Sequence, residues 1–186
     1  GSSRASSQSL KITNWLAAQL RKLNIETDSI DLQKVELPLR HEDIWQDIAN
    51  VPAAIELREK LESADGFVIV SPEWHGMAAP ALKNMFLYVQ KTMAHKPALL
   101  TTVSATPYGG SYPLAELLIG SYKNSYLNYI PEHLIVREVN DMFNSDEISE
   151  GAAGDQYMKT RAVHSLKLLI AYALSLIHIS EPTRPY

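Results

Sequence analysis

The chain has 186 residues, 46% of them hydrophobic, no cysteine and a formal net charge of −4. That length fits one domain with a full core, and the charge offers nothing to a sequence-independent nucleic-acid binder. Absence of cysteine excludes disulfides, thiolate zinc sites and a cysteine nucleophile, and no apolar run approaches membrane-spanning length, so the expectation is a cytoplasmic protein with no nucleic-acid and no membrane partner.

GSSRASSQS (1–9) is small and polar, and LKITNWLAAQLRKLN (10–24) carries apolar residues at helical spacing. IETDSIDLQKV (25–35) alternates and reads as a short strand. Residues 36–52 form a connection with turn signals and room for one helical turn. AAIELREKLESA (53–64) is an amphipathic helix, and GFVIV (66–70) is a strand apolar enough to be buried on both faces. The loop SPEWHGMAAPALKN (71–84) leads into a helix over about 79–92. PALLTTVSA (97–105) is a second buried strand. TPYGGSY (106–112) is a loop, 113–125 a helix with Pro near its first turn, and HLIVREV (133–139) a third strand. An acidic connector (141–154) precedes a last amphipathic helix over 155–173. Alternating strands and helices predict a parallel sheet with helices on both faces.

Three polar loops, 1–9, 71–78 and 104–112, belong at the carboxyl ends of strands, where open α/β sheets bind ligands. The first combines hydroxyls, Arg4 and an approaching helix N-terminus, which together favour an anion. By itself it reads as a helix cap or a floppy terminus. The second offers Trp74, His75 and the backbone around Gly76 to a planar ring, or else a surface turn with Trp74 packed on the core. The third has Gly109 and Gly110, which permit close approach of a ligand, or an ordinary strand-to-helix turn. No histidines stand at metal-ligand spacing, no metal is expected, and no Ser/His/Asp set or acid–base pair is evident. Met85, Phe86, Tyr88 and Val89 suit core or a subunit interface.

Jointly, the three loops resemble the NAD(P)H-dependent FMN reductase family. Gly1, Ser2, Arg4, Ser7 and Ser9 match that family's phosphate loop. Ser71, Pro72, Glu73, Gly76, Pro80, Leu82, Lys83 and Asn84 match its ring loop, with Trp74 and His75 standing in place of the common Tyr and Asn. The resemblance runs from residue 1 to about 173. It implies a flavodoxin-like α/β/α sandwich with a parallel sheet. It implies FMN as cofactor and NADPH or NADH as co-substrate. Ser2, Arg4, Ser7, Gln8 and Ser9 would hold the phosphate. Pro72, Glu73, Trp74, His75 and Gly76 would border the ring, and Ser104, Gly109 and Gly110 would close the far side. The cofactor carries the chemistry, so no catalytic side chain is assigned. The implied partner is a small-molecule electron acceptor: a flavin, quinone, azo compound or similar. A homodimer or homotetramer is implied too, with Met85, Phe86 and Tyr88 at the interface. A flavodoxin-type electron carrier is the alternative. Carriers are commonly more acidic, with a Thr-rich phosphate loop, and a flavin-free interaction protein ranks third.

A loop that opens a helix in such a fold follows a strand, and none precedes Gly1. The domain over 1–173 is therefore expected to lack its first strand, the central one in a sheet ordered 2-1-3-4-5, and to be poorly stable without it. Leu174 to Arg184 resembles the translation of a transposon-based sequencing adapter, so residues 174–186 are read as a non-native tail.

Overall fold

A computed structural model describes residues 7–40 and 50–177. Ser2, Arg4 and residues 178–186 lie outside that range, as does the stretch 41–49. Helix α1 (Gln8–Lys22) and α2 (Pro52–Ser63) precede strand β1 (Phe67–Trp74). The two-residue strand β2 (Met77–Ala78), α3 (Pro80–Val89) and a 3-10 turn (Gln90–Met93) follow. Then come β3 (Pro97–Val103), α4 (Ser111–Gly120), α5 (Tyr122–Ser125), β4 (Asn128–Val136) and α6 (Ala153–Ile177). The sheet order is β2-β1-β3-β4. β1, β3 and β4 are parallel, and β2 turns back antiparallel on the end of β1.

Side-chain alternation divides the core into two layers. Phe67, Ile69, Ala98 and Leu100 pack against α2, α3 and α4. Val70, Leu99, Val103, Leu134 and Val136 pack against α1 and α6. The helix ends are explicit in the chain. Ser7 caps α1 by accepting the Leu10 N–H at 3.1 Å. Asn24, at φ 61°, ends α1 in a Schellman arrangement, with Ile25 N–H on the Leu20 carbonyl and Asn24 N–H on that of Arg21. Pro52 and Pro80 start α2 and α3.

Three expectations are corrected, and of the two readings of the Met85–Val89 stripe the structure supports core. Residues 25–35 form no strand; their alternating pattern has no ladder partner among the described residues. The third parallel strand begins at Asn128, five residues before the expected start. Pro131 hides it, because the strand accommodates that missing N–H with a bulge: Ala98 pairs with Tyr129, but Leu100 with His133. Met85 and Tyr88 are buried inside this chain, at 6% and 0% exposure, and Phe86 is half-buried against the same layer. They pack the monomer, leaving Leu87 as the outward residue of α3 at 52%. The last helix continues to Ile177, four residues past its expected end.

The β1–β2 connection sets the shape of the ring loop. Trp74 faces Met77 across a two-residue turn, with His75 at φ 51° and Gly76 at φ 75°. Two left-handed residues in a two-residue hairpin make a type I′ turn. Gly76 adopts that conformation freely, whereas His75 carries a Cβ there at a cost of about 1–2 kcal/mol. Asn tolerates the position better than His. His75→Asn should therefore raise the thermal midpoint by about 2 °C. An unchanged or lower midpoint by calorimetry would contradict this turn geometry.

Glu116 of α4 anchors the returning arm. Its carboxylate accepts the Ala78 N–H at 2.6 Å and pairs with Lys83 Nζ at 2.9 Å. Burial pushes the carboxyl up. The Ala78 N–H and the Lys83 ammonium outweigh that, so it titrates below its ordinary 4.5. A depressed folded-state value stabilises the fold above the ordinary carboxyl range, and that contribution is lost as pH falls through the lower value. Glu116→Gln should consequently flatten the acid limb of the stability curve between about pH 5 and pH 3 while keeping its neutral-pH shape. Superimposable acid limbs for the two proteins would reject the role.

Candidate functional site at the carboxyl edge of the sheet

The loops after β1 and β3 open at the same edge, because the two strands run parallel, and α1 starts there. Lys11, one turn into α1, donates to the Val139 and Met142 carbonyls at 2.7 and 2.8 Å, just beyond the end of β4. Burial lowers the Lys11 pKa, while Asp155 and Asp141 act to raise it. The N-terminus of α1 is thereby held beside the ends of the parallel strands.

At that terminus Ser7 is half-buried and Gln8 exposed, and Ser9 is buried at 2%. Ser9 Oγ lies 3.1 Å from Ser7 Oγ, and the Ser9 carbonyl accepts from Thr13 Oγ1 at 2.8 Å. Ser9 thus buttresses Ser7 from within. The first-turn N–H groups of a helix have no intrahelical acceptor, so this end offers donors and the positive end of the helix dipole.

In the ring loop, Pro72, Glu73, Trp74 and Gly76 are half-buried and His75 is exposed. Ser71 is fully buried. Its Oγ accepts the Ala79 N–H at 3.2 Å and fixes where the hairpin rejoins α3. Glu73 points across to the third loop, where its Oε2 accepts the Gly110 N–H. The ring loop and the glycine loop are therefore one hydrogen-bonded unit.

The third loop is held from every side. Thr102 Oγ1 donates to the Gly110 carbonyl at 2.8 Å. Arg137, one residue past β4, donates from Nε to the Gly109 carbonyl at 2.9 Å and from Nη2 to Ser111 Oγ at 3.1 Å. Ser104 receives the Thr106 N–H at 3.1 Å and is itself buried. A Cβ on Gly109 would collide with Ser104 Oγ, and would lie 2.8 Å from Ser104 Cβ and 2.9 Å from Glu73 Oε2. A Cβ on Gly110, at φ 92°, would strike Ile135 Cγ2. Both glycines are required by the packing of the loop itself. Tyr108 between these segments is 89% exposed.

Of the sequence-derived site residues, the structure brings Ser7, Gln8 and Ser9 to one end of α1. It ties Glu73 to Gly110 and packs Ser104 against Gly109. Ser2 and Arg4 lie outside the described residues. Sequence reasoning missed Thr102, Glu116 and Arg137, which position the loops. Their signal was only their place: Thr102 and Arg137 stand at or just past strand carboxyl ends, and Glu116 lies one helical turn into the helix after the glycines. No group of three or more His, Asp or Glu among the described residues could hold a metal ion.

Comparison with known proteins identifies the family and the fold. A family model described as NADPH-dependent FMN reductase matches residues 1–140. An NADPH azoreductase from Bacillus sp. (strain OY1-2) is 31% identical over 112 residues, covering 60% of this chain and 61% of that protein. A quinone reductase from Escherichia coli (strain K12) is 34% identical over 92 residues, 45% of this chain and 48% of that protein. The chain thus spans between about half and three-fifths of the length of these curated relatives. The structure of an oxidoreductase from Corynebacterium diphtheriae superposes with a TM-score of 0.65 over 92% of this chain and 90% of that one. At 12% identity that likeness is one of fold, and it places this sheet among flavodoxin-like proteins. With the family model covering three-quarters of its length, the chain belongs to the NADPH-dependent FMN reductase family.

Proposed function

We propose that this chain is the flavin-holding part of an NAD(P)H-dependent reductase that passes electrons to a small planar acceptor such as a flavin, quinone or azo compound. The observation that carries the reading is the bond from the Gly110 N–H to Glu73, which joins the ring loop and the glycine loop into one rigid rim beside the N-terminus of α1. The donor set suits a flavin mononucleotide. The α1 N-terminus and the Ser7 hydroxyl suit a phosphate dianion. The half-buried Trp74 and the backbone around Gly76 suit a flat heterocycle.

In this reading Ser7, Gln8 and Ser9 complete a phosphate site with Ser2 and Arg4. Pro72, Glu73, Trp74, His75 and Gly76 border the ring, and Ser104, Gly109 and Gly110 close the far side. Hydride acceptance and electron delivery are what FMN supplies when bound. The protein's part is to bind, orient and keep water from the ring. Glu73, Thr102 and Arg137 do this at one remove, by fixing the glycine loop. Trp74 and the exposed Tyr108 offer ring surface to an aromatic acceptor. The azoreductase and quinone reductase relatives lend support to that acceptor class. A homodimer or homotetramer would use Leu87, Tyr112, Ile119 and Tyr122, which are exposed, in place of the buried Met85 and Tyr88.

Titration with FMN, followed by quenching of its fluorescence, tests the reading. Saturable binding is expected. Trp74→Ala should weaken it about 10-fold, in line with the worth of one ring stack. Gly109→Ala should weaken it further, by forcing Ser104 and Glu73 apart, and NAD(P)H oxidation should fall in parallel. Absence of FMN binding by a protein with a cooperative thermal transition would overturn the proposal.

A further inference from the structure

Tyr108 is 89% exposed, more than any other large apolar or aromatic side chain among the described residues. A lone exposed tyrosine is ordinary on a protein surface. Tyr108 differs in that the backbone around it is held and its ring is not. On the amino side, Ser104 donates its N–H to the Val136 carbonyl at 2.8 Å, and the Ser104 carbonyl accepts the Val139 N–H at 3.1 Å. The Thr106 N–H rests on Ser104 Oγ at 3.1 Å, and the Thr106 carbonyl accepts the Glu138 N–H at 3.4 Å. Pro107 fixes its own φ. On the carboxyl side, Gly109 and Gly110 are buried, and Arg137, Glu73 and Thr102 hold them. The tip of the loop is thus pinned on both sides of Tyr108.

The ring itself is free. Among the described residues, the aromatic and cation contacts join Trp15 to Phe143, His95 and Lys91 to Tyr126, Arg40 to Tyr88 and Lys96 to Phe67. Tyr108 takes part in none of these, and its hydroxyl bonds no other described group. The exposed Tyr112 and Ile119 have a different setting, seven residues apart on the outward face of α4. Tyr108 stands two residues before Gly110, whose N–H bonds Glu73, and Trp74 follows Glu73 in the chain. One hydrogen-bonded unit therefore presents both rings at the carboxyl edge of the sheet.

We propose, resting on the flavin reading above, that Tyr108 selects the electron acceptor at this edge. Its ring is a stacking platform that favours planar conjugated acceptors, quinone or azo, over compact ones. A tyrosine has only two side-chain torsions, so ordering it on a ligand costs little. The backbone beneath it is already fixed, so capture of an acceptor orders nothing further. An aromatic face is tolerant of substituents and takes any flat conjugated system of similar size. A compact octahedral anion offers no face to stack on. The stack does not need the hydroxyl, so phenylalanine should serve as well as tyrosine.

The test uses the full chain loaded with FMN. Binding of anthraquinone-2-sulfonate, a planar acceptor, is measured by calorimetry without NADPH, so that no turnover enters. Tyr108→Ala should weaken it about 10-fold, and Tyr108→Phe less than about 2-fold. Anaerobic turnover is the second readout. One NADPH and one solvent proton convert one quinone to its hydroquinone, or one NADPH reduces two ferricyanide ions and releases one proton. The ratio of kcat/KM for the quinone to that for ferricyanide should fall about 10-fold in Tyr108→Ala, through KM, and recover in Tyr108→Phe. An unchanged ratio in a protein that binds FMN would overturn this proposal alone. Loss of a dimer on Tyr108→Ala, seen by sedimentation, would also overturn it, by making a second copy the partner of the ring. Absence of FMN binding by the unaltered chain would overturn the flavin reading and this proposal with it.

Discussion

The parallel ladder between Phe67–Pro72 and Ala98–Val103 is the constraint from which the site follows. Parallel pairing sends both strands to the same edge, so the loops after Trp74 and after Val103 must emerge together. Once they are neighbours, short polar side chains can join them. Glu73 does so through the Gly110 N–H, and Thr102 and Arg137 occupy the two carbonyls on either side of that amide's residue pair. A backbone amide buried at such a junction costs about 1–3 kcal/mol if unpartnered. Glu73 is therefore a structural group, and Gly109 is fixed by its contact with Ser104 before any ligand is considered.

The third side of the site is held from farther away. Asp155 and Lys159 form an ion pair at 3.0 Å, with side-chain exposures of 3% and 0%. Both are bonded further: Asp155 accepts the Phe143 N–H at 2.8 Å, and Lys159 donates to the Glu147 and Glu150 carbonyls, each at 3.0 Å. A buried pair adds little net stability, but removing one partner costs about 3–5 kcal/mol. Its use here is to give the acidic connector a single course. That course sets Phe143 edge-on to Trp15, with ring centroids 4.8 Å apart, and presents the carbonyls that Lys11 grips. The position of the α1 N-terminus thus depends on a loop more than a hundred residues later in the chain.

Much of this was legible from residue pattern. GFVIV and PALLTTV read as strands because they are short, β-branched and mostly apolar, and Ser7 and Pro80 mark helix starts as capping chemistry requires. What was not legible depended on partners. Residues 25–35 alternate like a strand, but a strand exists only where another edge meets it. Asn128–Glu132 is a strand despite Pro131, because a bulge absorbs the missing donor. Met85 and Tyr88 carry a stripe that fits a core or an interface equally well, and only the neighbouring helices decide between them. Glu116 and Arg137 resemble any surface charge in the sequence; their roles come from backbone groups that a linear reading cannot bring near.

The same distinction bears on how the site is built. The features gathered at this edge are backbone amides, small side chains and one indole, none of which does chemistry alone. Their value lies in relative placement, which comes from β1. One edge of β1 sets the glycine loop through β3, and its end sets the hairpin through Glu116 and Ser71. Its remaining edge is bordered by an apolar cleft. A strand paired on one side only can twist or fray more readily than one paired on both. Any such movement would be transmitted to Trp74 and Glu73, four and three residues beyond Val70. The placement of the hairpin and the pairing of β1 are therefore one physical problem, and a residue far from Trp74 can govern where that ring sits.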